Sequence, residues 1–228
     1  MINPLTKILL AALLLATAAT SCRDTDGPYA ESAVLTDIAE ILEPSGGAAR
    51  FAVQATEDGE PAIIYVNGLT VNASEFPVGD RALLSYHYPD PTTPAYTSGR
   101  VEFDGLGTIN NDKLRVDDLE NHLDWNATPI YLMSIWRTGG YINISSRLTY
   151  STKKRKFMLL VDKATVDDEV PELYLIHDIL DAPDNFTRRN YASFDISALW
   201  SRESCHGVRI HIATTNMKQE IYSFNKPK

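Results

Sequence analysis

The sequence predicts an all-β protein, and three observations carry that reading. Short apolar runs alternate with polar residues at a period of two, as half-buried strands require. Gly, Pro, Asn and Asp separate those runs at short intervals, the punctuation of turns. No internal repeat or low-complexity tract interrupts the pattern.

The first element stands outside that pattern. Lys7 precedes an apolar run from Ile8 to Leu15, and small residues continue to Ser21. That is the three-part layout of a secretory signal. The run is too short for a bilayer span, which takes about 20 apolar residues. Residues 1–21 are therefore expected to be a lipoprotein signal peptide. Ala18, Ala19, Thr20 and Ser21 suit a peptidase that needs a narrow extended substrate. Cys22 directly after them resembles the lipobox of bacterial lipoproteins, in a relaxed form with Ala19 where that motif usually has Leu. The resemblance implies that Cys22 is acylated and anchors the chain to a membrane without spanning it. Cys205 is the other cysteine, so no intramolecular disulfide is expected once Cys22 carries lipid.

Residues 22–32 read as a tether. Asp24 and Asp26 resemble the acidic export tag of Bacteroides-type surface lipoproteins, which implies the outer face of the outer membrane. The whole chain has 21 basic and 30 acidic residues, a net charge of −9. Such a surface repels phosphate backbones, so nucleic acid is excluded as a partner.

Residues 33–118 are expected to form an OB-like β-barrel domain. In "AVLTDIAEILE", Val34, Leu35, Ile38, Ile41 and Leu42 recur at helical spacing, yet the segment equally suits a first strand. "ARFAVQA" alternates, and "EDGE" then marks an Asp-Gly hairpin turn before "PAIIYVNG". "RALLSYHY" sets Leu84, Tyr86 and Tyr88 on one face. A proline-rich loop leads to "GRVEFDGLGTI", and this spacing of short strands suits a small barrel. The polar stretch Asn110 to Asn126 is expected to be a connector with at most a short helix.

Residues 119–228 are expected to form an antiparallel β-sandwich. "GGYINISSRLTYS", "KRKFMLLVDK", "ELYLIHD", "NYASFDIS", "GVRIHIATT" and "EIYSFNK" each read as a strand bounded by turn residues. "SIWRTGGYINI" resembles the tryptophan, paired glycines and tyrosine-led strand of NigD-like lipoproteins. The phrases "KRKFMLLVD", "ELYLIHDILDAPD", "YASFDISAL" and "GVRIHI" follow in that family's order. The resemblance implies an N-terminal OB-type barrel, a C-terminal β-sandwich and a barrel strand from Val34. The name implies bacteriocin immunity, and the family brings no catalytic motif.

Within the specific phrase, Trp136 and Tyr141 are candidate binding or packing aromatics, with packing the favoured role. Gly139 and Gly140 suit a tight turn or bulge before the strand at Tyr141. No catalytic, cofactor or metal site is expected. The acidic groups Asp162, Asp167, Asp168, Glu169 and Asp178, Asp181, Asp184 lack the ligand alternation of a calcium loop. His206 and His211 would face opposite ways on a strand, and His177 reads as a satisfied structural histidine. No "GxSxG" nucleophile phrase occurs. The favoured function is a non-catalytic, lipid-anchored surface protein that presents a binding face to a protein or glycan. The rival is an accessory hydrolase or glycan-binding protein of a surface nutrient-uptake system.

Overall fold

The structure, a computed structural model, describes residues 32–150, 155–179 and 186–227. Cys22, the tether acids Asp24 and Asp26, and Asp181 and Asp184 lie outside the described residues. Strands dominate throughout, so the chain is all-β.

The first half makes one six-stranded sheet. Its strands are β1 (Leu35–Glu43), β2 (Ala48–Val53), β3 (Ala62–Asn67), β4 (Arg81–His87), β5 (Gly99–Arg100) and β6 (Glu102–Thr108), in the order β5-β3-β2-β1-β4-β6. Only Val101 separates β5 from β6. The segment 99–108 therefore touches β3 at its start and β4 along the rest, and the pairings form a ring. Ile41, Phe51, Ile64, Leu84 and Tyr86 fill the ring and are fully buried.

The helical spacing of "AVLTDIAEILE" has a physical cause in β1. Ala39 and Ile41 point into the ring, whereas Ile38 is buried on the opposite face. A bulge between Ile41 and Glu43 shifts the phase again. A strand buried on both faces loses its period of two.

The second half builds two sheets on one core. One contains β7 (Asn110–Lys113), β9 (Tyr131–Thr138), β10 (Tyr141–Thr149) and β13 (Thr187–Asp195), in the order β7-β13-β10-β9. The other contains β8 (Arg115–Asp117), β11 (Lys156–Asp162), β12 (Glu172–Asp178), β14 (Gly207–His211) and β15 (Ile221–Asn225), in the order β15-β14-β12-β11-β8. Ile142, Ile144, Leu159, Leu173, Phe194 and Ile210 meet between them. The short helix α1 (Ser197–Trp200) follows β13 and buries Leu199 against the same core.

Two expectations are corrected here. The sandwich is not purely antiparallel, because β7 runs parallel to β13, β8 to β11, and β14 to β12. The chain enters and re-enters these sheets from the same end, which imposes parallel pairing. The connector is also not merely a polar link with a short helix. Residues 110–117 are strands, and only Leu119–His122 forms a 3₁₀ turn. Edge pairing asks for backbone groups rather than apolar side chains, so a polar sequence hides it. Both β7 and β8 pair with second-half strands, just short of the expected boundary at residue 118.

Candidate functional site

A cleft of about 480 Å³ opens where the ring meets the outer face of the β7-β13-β10-β9 sheet. That volume falls within the roughly 300–1,000 Å³ of small-molecule sites. Thr36, Asp37 and Ile38 of β1, the 54–57 turn, Leu83 and Tyr96 form one wall; Trp136, Arg137, Thr138 and Tyr191 form the other.

On the ring side, besides the exposed Glu57, the charged group is the half-buried Asp37. Its two oxygens accept hydrogen bonds from the Tyr86 and Tyr96 hydroxyls, each at 3.1 Å. Burial pushes its carboxyl above the ordinary value, against the lowering effect of the two phenols. Burial also raises Tyr86 and Tyr96, whose phenols face the same carboxylate. Tyr96 sits at φ +62°, a left-handed backbone that a bulky residue adopts at a cost. The strain falls on the residue that closes over Asp37.

On the sheet side Arg137 is completely enclosed. It donates to the carbonyl oxygens of Glu57 (3.0 Å) and Gly139 (2.7 Å) and to the carboxylates of Asp58 (2.6 Å) and Glu57 (3.3 Å). Its guanidinium lies 4.3 Å from the centre of the Trp200 ring. The Gly139 amide also donates to the Glu57 carbonyl at 2.8 Å. These bonds tie the β2–β3 turn to the β9–β10 hairpin and fix the mouth of the cleft.

The two candidate aromatics have separate surroundings. Trp136 is partly exposed and lines the cleft beside Tyr191 rather than joining either core. Tyr141 is covered by the Arg81 guanidinium, 4.4 Å from its ring centre. They are diagonal neighbours on one face, since Trp136 pairs with Asn143 and Tyr141 with Thr138. The cleft takes Trp136 and leaves Tyr141 to the junction. Gly139 and Gly140 form the two-residue turn between β9 and β10, with Gly139 at φ +53°. A Cβ on Gly140 would lie 2.7 Å from that of Ser197, so the turn also seats α1.

Arg81 is the second buried arginine. Its Nη1 donates to Thr138 Oγ1, Asn143 Oδ1 and Ser193 Oγ, each at 3.2 Å, and its Nη2 donates to the Ile38 carbonyl at 2.8 Å. Burial lowers its pKa to about 10. A strand of the ring is thereby fastened to three strands of the sandwich. Sequence reasoning missed Arg81, Arg137 and Asp37. The available signal was a charged residue inside or heading an apolar strand phrase, as in "RALLSYHY" and "SIWRTGG".

His177 is enclosed, and burial lowers its pKa. Nδ1 lies 2.9 Å from the Thr128 carbonyl, so it carries the proton; Nε2 accepts from Arg155 at 3.2 Å. Both nitrogens are satisfied with the ring neutral. The Cys205 thiol is buried and donates to the Gly207 carbonyl at 3.3 Å. His206 meets Glu169, and His211 meets Glu172, on separate strands or turns. Among the described residues no group of three or more His, Cys, Asp or Glu side chains converges on a metal-sized site.

Residues 116–226 match the family described as NigD-like C-terminal beta sandwich domain. The second half of the chain is a NigD-like domain. Two solved structures share the fold over most of this chain and carry the first half as well. A protein of unknown function from Bacteroides vulgatus aligns at TM-score 0.65 and 14% identity, covering 86% of this chain and 92% of its own. A NigD-like immunity protein from Bacteroides caccae aligns at TM-score 0.56 and 15% identity, covering 86% and 94%. No curated protein matches the sequence. The NigD-like domain thus supplies Trp136, Arg137, Thr138 and Tyr191 to the cleft, and the ring supplies Asp37 and Tyr96.

Proposed function

We propose that this chain is a non-catalytic, immunity-like binding protein of the cell envelope, with an OB-type barrel and a NigD-like sandwich as separate domains. Cys22 holds it in the outer membrane through lipid, and Asp24 and Asp26 direct it to the cell surface. The observation that carries the binding role is the cleft itself. Its charged side chains are already engaged, Asp37 by two phenols and Arg137 by two carboxylates. A reacting carboxylate needs a free oxygen within reach of substrate. A site with flat aromatic walls and satisfied charges is built to hold a ligand.

The rival hydrolase reading also has an observation behind it, since Asp37 and Glu57 line one cleft and Asp37 is pushed toward its protonated form. Incubation with oligosaccharides separates the two. Unchanged substrate length with saturable binding supports the binding protein; product chains that disappear in the Asp37→Asn variant support the hydrolase. The anchor has its own test. Cys22→Ser is expected to release the protein from membranes or leave its leader uncut. A variant still cleaved and membrane-bound overturns the lipoprotein reading.

A further inference from the structure

The outer face of the four-stranded sheet continues beyond the cleft, and its register puts the side chains in rows. On β10 the residues Tyr141, Asn143, Ser145 and Arg147 share that face, because strand side chains alternate. Asn143 stands between Trp136 and Ser193, Ser145 between Ser134 and Tyr191, and Arg147 between Tyr131 and Arg189. Arg147 and Arg189 therefore lie directly opposite each other, both exposed, one row beyond Tyr191. Rows along a strand repeat every roughly 6.6 Å.

Like charges directly opposite across a sheet destabilise it. Here they do so in a chain of net charge −9, and no carboxylate among the described residues bridges them. Each guanidinium is oriented by a tyrosine: Arg147 lies 5.9 Å from the Tyr131 ring centre, and Arg189 is 5.9 Å from that of Tyr191, whose hydroxyl it meets at 3.3 Å. A guanidinium held beside a ring in this way keeps N–H groups available for a carboxylate. The cleft interior has the opposite character. Arg137 is consumed by Glu57 and Asp58, Asp37 repels anions, and the remaining groups are aromatic rings, hydroxyls, the Gln54 amide and the aliphatic Ile38, Ala55 and Leu83.

We propose that the cleft and the arginine row form one extended site for an acidic oligosaccharide. A neutral face of one sugar packs among Trp136, Tyr191 and Tyr96. A uronic-acid carboxylate farther along the chain bridges Arg147 and Arg189. The inference rests on the binding-protein reading and names the class of its ligand. Aromatic rings accept the C–H face of a sugar while Thr36 and Thr56 meet its hydroxyls, and this mixture fits a hydroxylated ring better than an acidic peptide.

The test titrates the purified protein with oligogalacturonate, oligoguluronate, hyaluronan oligosaccharides, methyl-esterified oligogalacturonate and polyglutamate, followed by calorimetry and Trp fluorescence. At least one uronic-acid probe is expected to bind with an affinity that falls as salt rises. Arg147→Gln with Arg189→Gln should weaken that binding tenfold or more and remove most of its salt dependence. Both residues are exposed and repel each other, so the variant should melt no lower than the wild type. Trp136→Ala should weaken acidic and esterified probes alike. The proposal fails if no uronic-acid probe binds, if the double variant binds as wild type does, or if polyglutamate binds as tightly as the sugars. Shortening of a bound probe would instead overturn the non-catalytic reading and leave the ligand class standing.

Discussion

Arg81 and Arg137 are both enclosed, but their charges are handled in opposite ways. Arg137 is met by two carboxylates at the surface end of its pocket, each about half exposed. Arg81 donates only to neutral oxygens, from Thr138, Asn143, Ser193 and Ile38, and otherwise lies over the Tyr141 ring. A buried ion with opposite charge beside it recovers much of its desolvation cost; one held by dipoles recovers less. The lowered pKa of Arg81 records that deficit. Arg137 therefore stabilises the corner it occupies, while Arg81 fixes how the ring and sandwich meet at some expense of stability.

The largest expected effect tests the first half of that statement. Arg137→Met should cost about 3 kcal/mol, because it removes the charge-assisted bonds to Glu57 and Asp58 and takes the donor from the Gly139 carbonyl. Urea denaturation measures it. A loss below about 1 kcal/mol would make the two arginines equivalent and break the comparison. Gly140→Ala, on the hairpin that Arg137 clamps, should cost about 1–3 kcal/mol, since the new Cβ overlaps Ser197 and overpacking is destabilising. A wild-type melt for that variant would mean the hairpin and α1 are not in fixed contact.

Arg81→Met should behave differently. The partners it leaves behind already bond one another: Ser193 donates to Asn143 Oδ1 at 2.9 Å, and the Asn143 amide donates to Thr138 at 2.9 Å. Only the Ile38 carbonyl loses its partner. The net change should stay within about 1 kcal/mol of zero, although ligand affinity should fall because the cleft walls come from the two parts that Arg81 joins. A large loss of stability with unchanged affinity would reverse the role assigned to it.

His177 extends the same logic to pH. Its folded pKa is lowered, chiefly by burial, so the unfolded chain binds a proton first. Stability from the neutral ring is complete above the ordinary value of 6.5 and declines as pH falls through it. Denaturation midpoints should drop as pH falls below 6.5, and His177→Gln should flatten that decline. An equally steep slope in the variant would move the effect to another group.

The two halves differed in how much of this could be read beforehand. Alternation located most strands, and the phrase around Trp136 pointed to the NigD-like domain and its glycine turn. Residues 110–117 escaped because an edge strand pairs through backbone groups and tolerates Asn, Asp and Lys. The cleft escaped for another reason: Asp37, Glu57, Tyr96, Trp136 and Tyr191 are scattered along the chain and meet only through tertiary packing. Periodicity reports which face of a strand is buried. It does not report which strand from elsewhere covers that face.

The smallest expected effect concerns Asp37, the anionic counterpart of Arg81. Its carboxylate is held by phenols, and no cation among the described residues pairs with it. Its folded pKa is raised above 3.8, with burial the main cause. The sign is therefore opposite to that of a salt-bridged acid. Any stabilisation from the protonated form is complete below the unfolded pKa and is lost as pH rises through the folded value. At neutral pH the charged form weighs on the fold. Asp37→Asn should therefore be slightly more stable than the parent at pH 7, by less than about 1 kcal/mol. Its amide can still accept from one phenol and donate to the other. The gap should close as pH is lowered toward 3.8. Paired urea titrations at pH 4 and pH 7 measure it. A variant less stable at pH 7 would show that the phenol bonds outweigh burial, and Asp37 would then join Arg137 among the groups whose charge the structure rewards.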